Sequence, residues 1–431
     1  MTASSLRSLR NPNFRLYLTG QGLSQIGTWF QLTTEMWVIF ELTGSGKALG
    51  VHSILRFGPL MLVGIPGTLF SGRFDRRKFL IATSSFYGLV TLTMAIVGWT
   101  WSVSLPLIYI GVFIQGVLFS LYNPVRRAFI RDLTNDANMS NSMSLNSSME
   151  VLTRTIGPAL AGIMIVTIGA PWCFALNALS FSAFVTALVL MDTTKLRPAQ
   201  RMNRESGQIR AGFRYAWSNR RIRRTLAMTT VVFVFIWNWQ VILPVYASEE
   251  LGGDASLYGL LVALLGLGAF IGTLVVARLT TITGRYFRIV SAFLAVALLI
   301  TATAPSLAFA VLGLALIGAA GTAFQIGAIT RLQLECDDLM STRVLALSSV
   351  TSTGAKPVMG ILAGSIMDSA DSRVAFGVGA AAAACLLLFL TLSRLPPAVA
   401  APTESPGPAP SSAASDTGSS DERLPNDESV A

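Results

Sequence analysis

The chain is 431 residues long and carries a net charge of +10. Fifty-two per cent of its residues are hydrophobic, thirteen per cent are charged, and the mean hydropathy is +0.59, which excludes an ordinary water-soluble domain. One histidine and three isolated cysteines, Cys173, Cys336 and Cys385, exclude a disulfide framework and a paired-thiol metal centre, so no metal or cofactor is expected.

A helix needs about 20 apolar residues to cross some 30 Å of hydrocarbon. Runs of that kind fall near 16–41, 47–70, 79–98, 105–123, 144–166 and 172–191, and again near 225–246, 256–279, 287–304, 306–328, 342–366 and 371–393. The expectation is an all-α membrane protein of twelve transmembrane helices, in two six-helix pseudo-repeats around a central cavity. The domains expected are a first bundle over 1–191, a linker over 192–222, a second bundle over 223–394 and a tail over 395–431. The first apolar run is a full span rather than a short cleavable leader, so it is expected to remain as the first helix.

Lysine and arginine collect on the cytoplasmic side of membrane proteins. With both termini inside, all but five of the 32 basic residues fall in inner loops or termini; Lys47 and Arg373 lie in outer loops, and Arg56, Arg154 and Lys356 lie within spans. This pattern accounts for the positive charge by topology and removes nucleic acid as a partner. A bacterial inner-membrane location follows as an expectation, with the lipid bilayer as solvent.

Within the linker, Ile209, Phe213 and Trp217 recur every fourth residue beside arginines, which predicts an amphipathic helix on the cytoplasmic lipid surface. Residues 395–431 are rich in Pro, Ala, Ser and acid without an apolar period, and are expected to be a disordered tail. His52, near the outer end of the second span, is assigned to interfacial packing.

An internal repeat joins the two sets of spans. FIQGVLF (113–119) and AFQIGAI (323–329) are followed by the acidic loops TNDANMS (134–140) and ECDDLMS (335–341), then by RTIGPALAG (154–162) and GAKPVMGILAG (354–364). Pro158 and Pro357 each free a helix carbonyl, and Gly157 and Gly162 let another backbone approach, so these positions are expected to bend and slide. Duplicated six-helix units build rocking transporters with the site between the halves.

Charges inside spans need a partner or water. Glu35 and Arg56 are nearly equidistant from the tip of the first hairpin, so a pair across it is expected. Glu150 and Arg154 are four apart on one helix face and are expected to neutralise each other. Lys356 has no acid within reach on its own helix.

The stretches NFRLYLTGQGLSQIGTWFQ (13–31), GTLFSGRFDRRKFL (67–80), RTIGPALAG and LPVYASEELGGDASLYGLLVALLGLGAFIG (243–272) together resemble the major facilitator superfamily, in its drug and siderophore exporter branch. That branch includes enterobactin exporters and macrolide efflux proteins. The resemblance implies a cytoplasmic gate around Gly72, Arg73, Asp75, Arg76 and Arg77, although the acid that usually precedes the basic run is replaced by Gly72. It also implies a substrate cavity with Gln115, Trp237, Asn238, Trp239, Gln240, Gln325 and Lys356 among its residues. The arginine that many proton-coupled relatives carry four residues before Gly116 is Val112 here, so coupling does not carry over by that position.

The function this implies is secondary active export of a small amphipathic compound, of drug or siderophore type, by proton-coupled antiport and alternating access, performed by a monomer. Uptake or lipid flipping by the same fold is the alternative, and a non-transporting membrane sensor is a further one. No GxxxxGK[ST] stretch is present for ATP, and no enzymatic constellation is recognisable.

Overall fold

The computed structural model describes residues 7–70, 75–100, 104–197, 208–236, 239–279 and 281–393. The tail expected over 395–431, the linker residues 198–207, and the residues Gly72, Arg73, Trp237 and Asn238 therefore lie outside the described residues. Every regular element described is helical. In chain order they are α1 (Pro12–Thr43), α2 (Gly46–Phe70), α3 (Arg76–Thr100), α4 (Leu105–Leu133), α5 (Asp136–Ile168), α6 (Ala170–Val189), α7 (Gln208–Ser218), α8 (Arg220–Phe235), α9 (Trp239–Val245), α10 (Ala255–Ala277), α11 (Gly284–Ala302), α12 (Leu307–Glu335), α13 (Asp338–Ser369) and α14 (Ser372–Leu392). A π-helical turn, Tyr246–Glu250, continues α9.

Local chemistry sets the boundaries. Asn11 opens α1 by accepting from the amides of Asn13 and Phe14, with Pro12 in the first turn where its missing N–H is not needed. Asn135, Asn219, Asp254 and Asp371 cap α5, α8, α10 and α14 in the same manner. Gly44, Gly169 and Gly252 hold positive φ values of 57°, 88° and 61° in the tight turns after α1, α5 and the π turn. All three turns lie at one end of the helices, here termed the hairpin end; the opposite end carries the arginine-rich connections and is termed the basic end.

Nine helical segments are long and apolar enough to cross a membrane among the described residues: α3 to α6, the segment Arg220–Glu250 through α8 and α9, α10, α11, α12 and α14. The chain is thus a multi-pass helical membrane protein. Helix α1 has the length, at 32 residues, but spends much of it on buried polar groups, among them Gln21, Ser24, Gln31, Thr33, Thr34 and Glu35. Large apolar side chains such as Leu179, Phe293 and Val358 point outward, as a lipid-facing surface requires. On α7, Phe213 and Trp217 are also exposed and stack at 5.5 Å, while Arg223 lies over the Trp217 ring.

Packing follows a simple pattern. Helix α1 lies against α5 and α6, α3 against α4 and α6, α2 against α4, α10 against α12, and α11 against α12 and α14. Two further pairs, α2 with α13 and α5 with α10, join the first six helices to the later ones.

Candidate functional site

The α1–α2 hairpin brings Glu35 and Arg56 together, but not as a simple pair. Arg56 Nη1 is 3.9 Å from Glu35 Oε2 and donates a shorter bond, 2.6 Å, to Gln115 Oε1 on α4. The nearer partners of Glu35 are Gln31, whose Nε2 donates to Oε1 at 2.6 Å, and His52, whose Nε2 is 2.9 Å from Oε2. His52 is therefore not an interfacial residue: it has no exposed surface and sits on the carboxylate. Gln31 Oε1 in turn accepts from Thr91 on α3 and Asn177 on α6, at 3.1 and 2.5 Å. One buried polar network thus ties five helices through a single carboxylate, and His52 Nδ1 is left without a hydrogen-bond partner in it. Sequence spacing held a signal for His52, which lies four residues before Arg56 and hence on the same helix face.

Glu150 and Arg154 share a face of α5, yet Glu150 bonds elsewhere. Its Oε1 is 2.9 Å from Arg126 Nη2 on α4 and 3.1 Å from Asn146 Nδ2. Arg154 Nε is buried without a hydrogen-bond partner. On α13, Lys356 Nζ lies 4.5 Å from the centroid of the Phe57 ring of α2.

At the hairpin end the α2–α13 crossing is made by bare backbone. A Cβ placed on Gly50 would lie 2.6 Å from the Gly360 carbonyl oxygen, and one on Gly46 would lie 2.8 Å from that of Gly364. Asp368 fastens this crossing: its carboxylate accepts from Ser45 Oγ at 2.9 Å and from the amides of Gly46 and Lys47 at 2.5 and 3.3 Å. These amides are the free donors of the first turn of α2, where negative charge is favoured. The α5–α10 crossing repeats the design. A Cβ on Gly162 would meet the Ala255 carbonyl oxygen at 2.6 Å, and one on Gly259 would meet that of Pro158 at 2.5 Å. Gly157, by contrast, packs on Trp29 of α1, inside the first six helices.

The remaining sequence candidates scatter. Trp239 is buried with Nε1 unpartnered, and Gln240 and Gln325 are half-buried on α9 and α12. Asp75 caps α3 through the amides of Arg77 and Lys78; Arg76 bonds Asp132 at 2.5 Å, and Arg77 donates to the carbonyls of Leu188 and Val189. The described members of the basic loop thus engage α3, α4 and α6.

A family model described as transmembrane secretion effector matches residues 3–416. The staphyloferrin A transporter of Staphylococcus aureus is 24% identical over 278 residues, covering 63% of this chain and 66% of that one, just under two thirds of its length. The multidrug efflux pump Tap of Mycobacterium tuberculosis is 22% identical over 385 residues, covering 86% and 90%. Among solved structures, the nucleoside transporter NupG (a D323A mutant) aligns with a TM-score of 0.70 at 13% identity, over 89% of this chain and all of that one. A bacterial homologue of the iron transporter ferroportin, in an inward-facing state, aligns with a TM-score of 0.67 at 19% identity, over 88% and 98%. At such identities the structures speak for the fold, and the family match, which takes in almost the whole chain, speaks for the class. The chain belongs to the transmembrane secretion effector family, transporters of the major facilitator superfamily rather than enzymes.

Proposed function

We propose that this protein is a secondary active exporter of small amphipathic compounds, working by proton-coupled antiport and alternating access. In this reading twelve spans form two six-helix repeats, with α1, α2 and α13 joining the nine apolar segments. The protein sits as a monomer in a bacterial inner membrane with both termini and the basic end in the cytoplasm.

The observation that carries the proposal is the construction of the hairpin end. Two glycine crossings and the Asp368 clasp close it with contacts that need no side-chain repacking to part. A rocking motion that separates α2 from α13 and α5 from α10 would open that end, and the same contacts would re-form on return. The buried Glu35 network supplies ionisable groups for coupling, since a carboxylate in hydrocarbon is costly and commonly functional. The staphyloferrin A transporter and the efflux pump Tap support the choice of a drug-like or siderophore-like cargo.

The test is accumulation of a fluorescent drug-like dye in cells with and without the gene, repeated with a protonophore. Lower accumulation that the protonophore abolishes is the expected result. Equal accumulation with and without the gene across a panel of dyes, or export untouched by the protonophore, would overturn it.

A further inference from the structure

Charges within the spans do not cancel. Glu150 is engaged by Arg126, and Glu35 by His52 and Arg56, at the distances given above. Arg154 and Lys356 are left with no carboxylate within ion-pair distance among the described residues. The two lie on α5 and α13, helices on opposite sides of the division between the first six helices and the later ones. Both Arg154 and Arg56 are near enough for their charges to repel that of Lys356. Three cations therefore converge from three helices, and the carboxylates near Arg56 and Arg154, Glu35 and Glu150, are each already engaged by another base, His52 and Arg126.

Like charges brought together inside a membrane protein raise its energy unless water or an anion answers them. Side chains of another chemistry would be cheaper at both positions if packing were all they did. An oxyanion arriving between the halves would meet the Arg154 guanidinium, whose planar set of donors suits a carboxylate, and the mobile ammonium of Lys356. The Phe57 ring beneath Lys356 adds an aromatic surface beside the charge.

We propose that Arg154 and Lys356, with Arg56 behind them, bind the anionic group of the transported compound, and that the cargo is an amphipathic organic anion bearing carboxylate rather than a lipophilic cation. This inference rests on the transport reading above and narrows its substrate. Binding between the halves would also draw α5 and α13 toward a shared ligand, which gives the cargo a hold on both.

The test is equilibrium binding by fluorescence polarisation, with the full chain in phosphatidylcholine nanodiscs and no ion gradient. The probes are carboxyfluorescein, a xanthene polycarboxylate, and rhodamine 6G, a xanthene cation of similar size. Wild type is expected to bind carboxyfluorescein at least about tenfold more tightly than rhodamine 6G, and Lys356→Gln and Arg154→Gln each to weaken it by about tenfold or more. Lys356→Arg, which keeps the charge, should stay within about threefold of wild type. Equal or tighter binding of the cation, no binding of carboxyfluorescein to wild type, or indifference to both glutamine variants overturns the proposal. The wild-type comparison stands even where a variant fails to fold. Loss of carboxyfluorescein binding when phosphatidylglycerol replaces phosphatidylcholine would reassign the cations to a lipid headgroup and also overturn it. Binding that persists while gradient-driven export is absent would leave this site intact and sink the exporter reading instead.

Discussion

A carboxylate with no exposed surface inside a helix bundle has to be matched atom by atom, and Glu35 is matched by Gln31 on one oxygen and by His52 and Arg56 on the other. Removing one member of such a set leaves a charge or a dipole buried alone, at a cost of about 3–5 kcal/mol for a broken buried ion pair. Glu35→Gln and Arg56→Gln should each lower the yield of folded protein in detergent, and the double variant should recover part of the loss. Strictly additive losses would mean that Arg56 acts through Gln115 alone. The approach of Glu35 to Arg56 was legible in the sequence because equal distance from a hairpin tip gives equal depth. The partner of Glu150 was not: Arg126 falls in what reads as a loop, but α4 continues to Leu133 and carries Arg126 on its side to face α5. Hydropathy marks where apolar character stops, whereas the helix stops only where its caps are.

At the scale of elements, the GPALAG stretch of α5 serves two neighbours with two different glycines. Gly157 admits Trp29 of α1, and Gly162 admits the backbone of α10. Gly162→Leu should therefore hold the hairpin end apart, whereas Gly157→Leu should loosen α1 from α5 and lower stability. The readout is labelling of Ser45→Cys by a membrane-impermeant thiol reagent in a cysteine-free background: faster with Gly162→Leu, and not faster with Gly157→Leu in protein that remains folded. Asp368→Ala removes a carboxylate from the first turn of α2, a contact worth about 1 kcal/mol by analogy with helix caps, so it should raise the same labelling rate several-fold. An unchanged rate would show that the glycine crossings hold that end without the clasp. The sequence pointed to the proline and glycines as a place of close approach. It could not say which glycine meets which helix, because that depends on the rotation of α5 about its axis, fixed only by all of its partners together.

For the whole molecule, the order and spacing of the helices could be read from apolar run lengths, and the two ends could be told apart by charge. Among the described residues, nine segments are long and apolar enough to cross a membrane. The pairings that join early helices to late ones were not legible, since the closest approaches of α2 to α13 and of α5 to α10 are made at glycines, which have no side chains to advertise the contact. Two predictions belong to this scale. Reporters placed after Thr194 and after Gly252 should report opposite sides of the membrane, with the first in the cytoplasm; the same side for both would break the alternation of helices. A short thiol cross-linker bridging Ser45→Cys and Asp368→Cys should stop export while ligand binding to the purified protein stays within about threefold of the uncross-linked form. Export that continues in the cross-linked protein would remove the hairpin-end crossing from the transport cycle.

The polar content of α1 bears on how the chain is made as well as on how it works. Gln21 is bonded by Tyr122 of α4, and Gln31 by Thr91 of α3 and Asn177 of α6, the last of these 146 residues further along the chain. When α1 leaves the ribosome none of those partners exists, and a helix with an unmatched Glu35 and several bare amides partitions poorly into lipid. During synthesis it has to be held beside the translocon, with His52 and Arg56 of α2 the earliest groups able to quiet its carboxylate. Chains truncated just after α2 should therefore leave α1 open to protease or to aqueous labelling, and chains extended beyond α6 should not. Biogenesis of this protein would then be a late commitment, in which α1 is made before its partners and settled only after them.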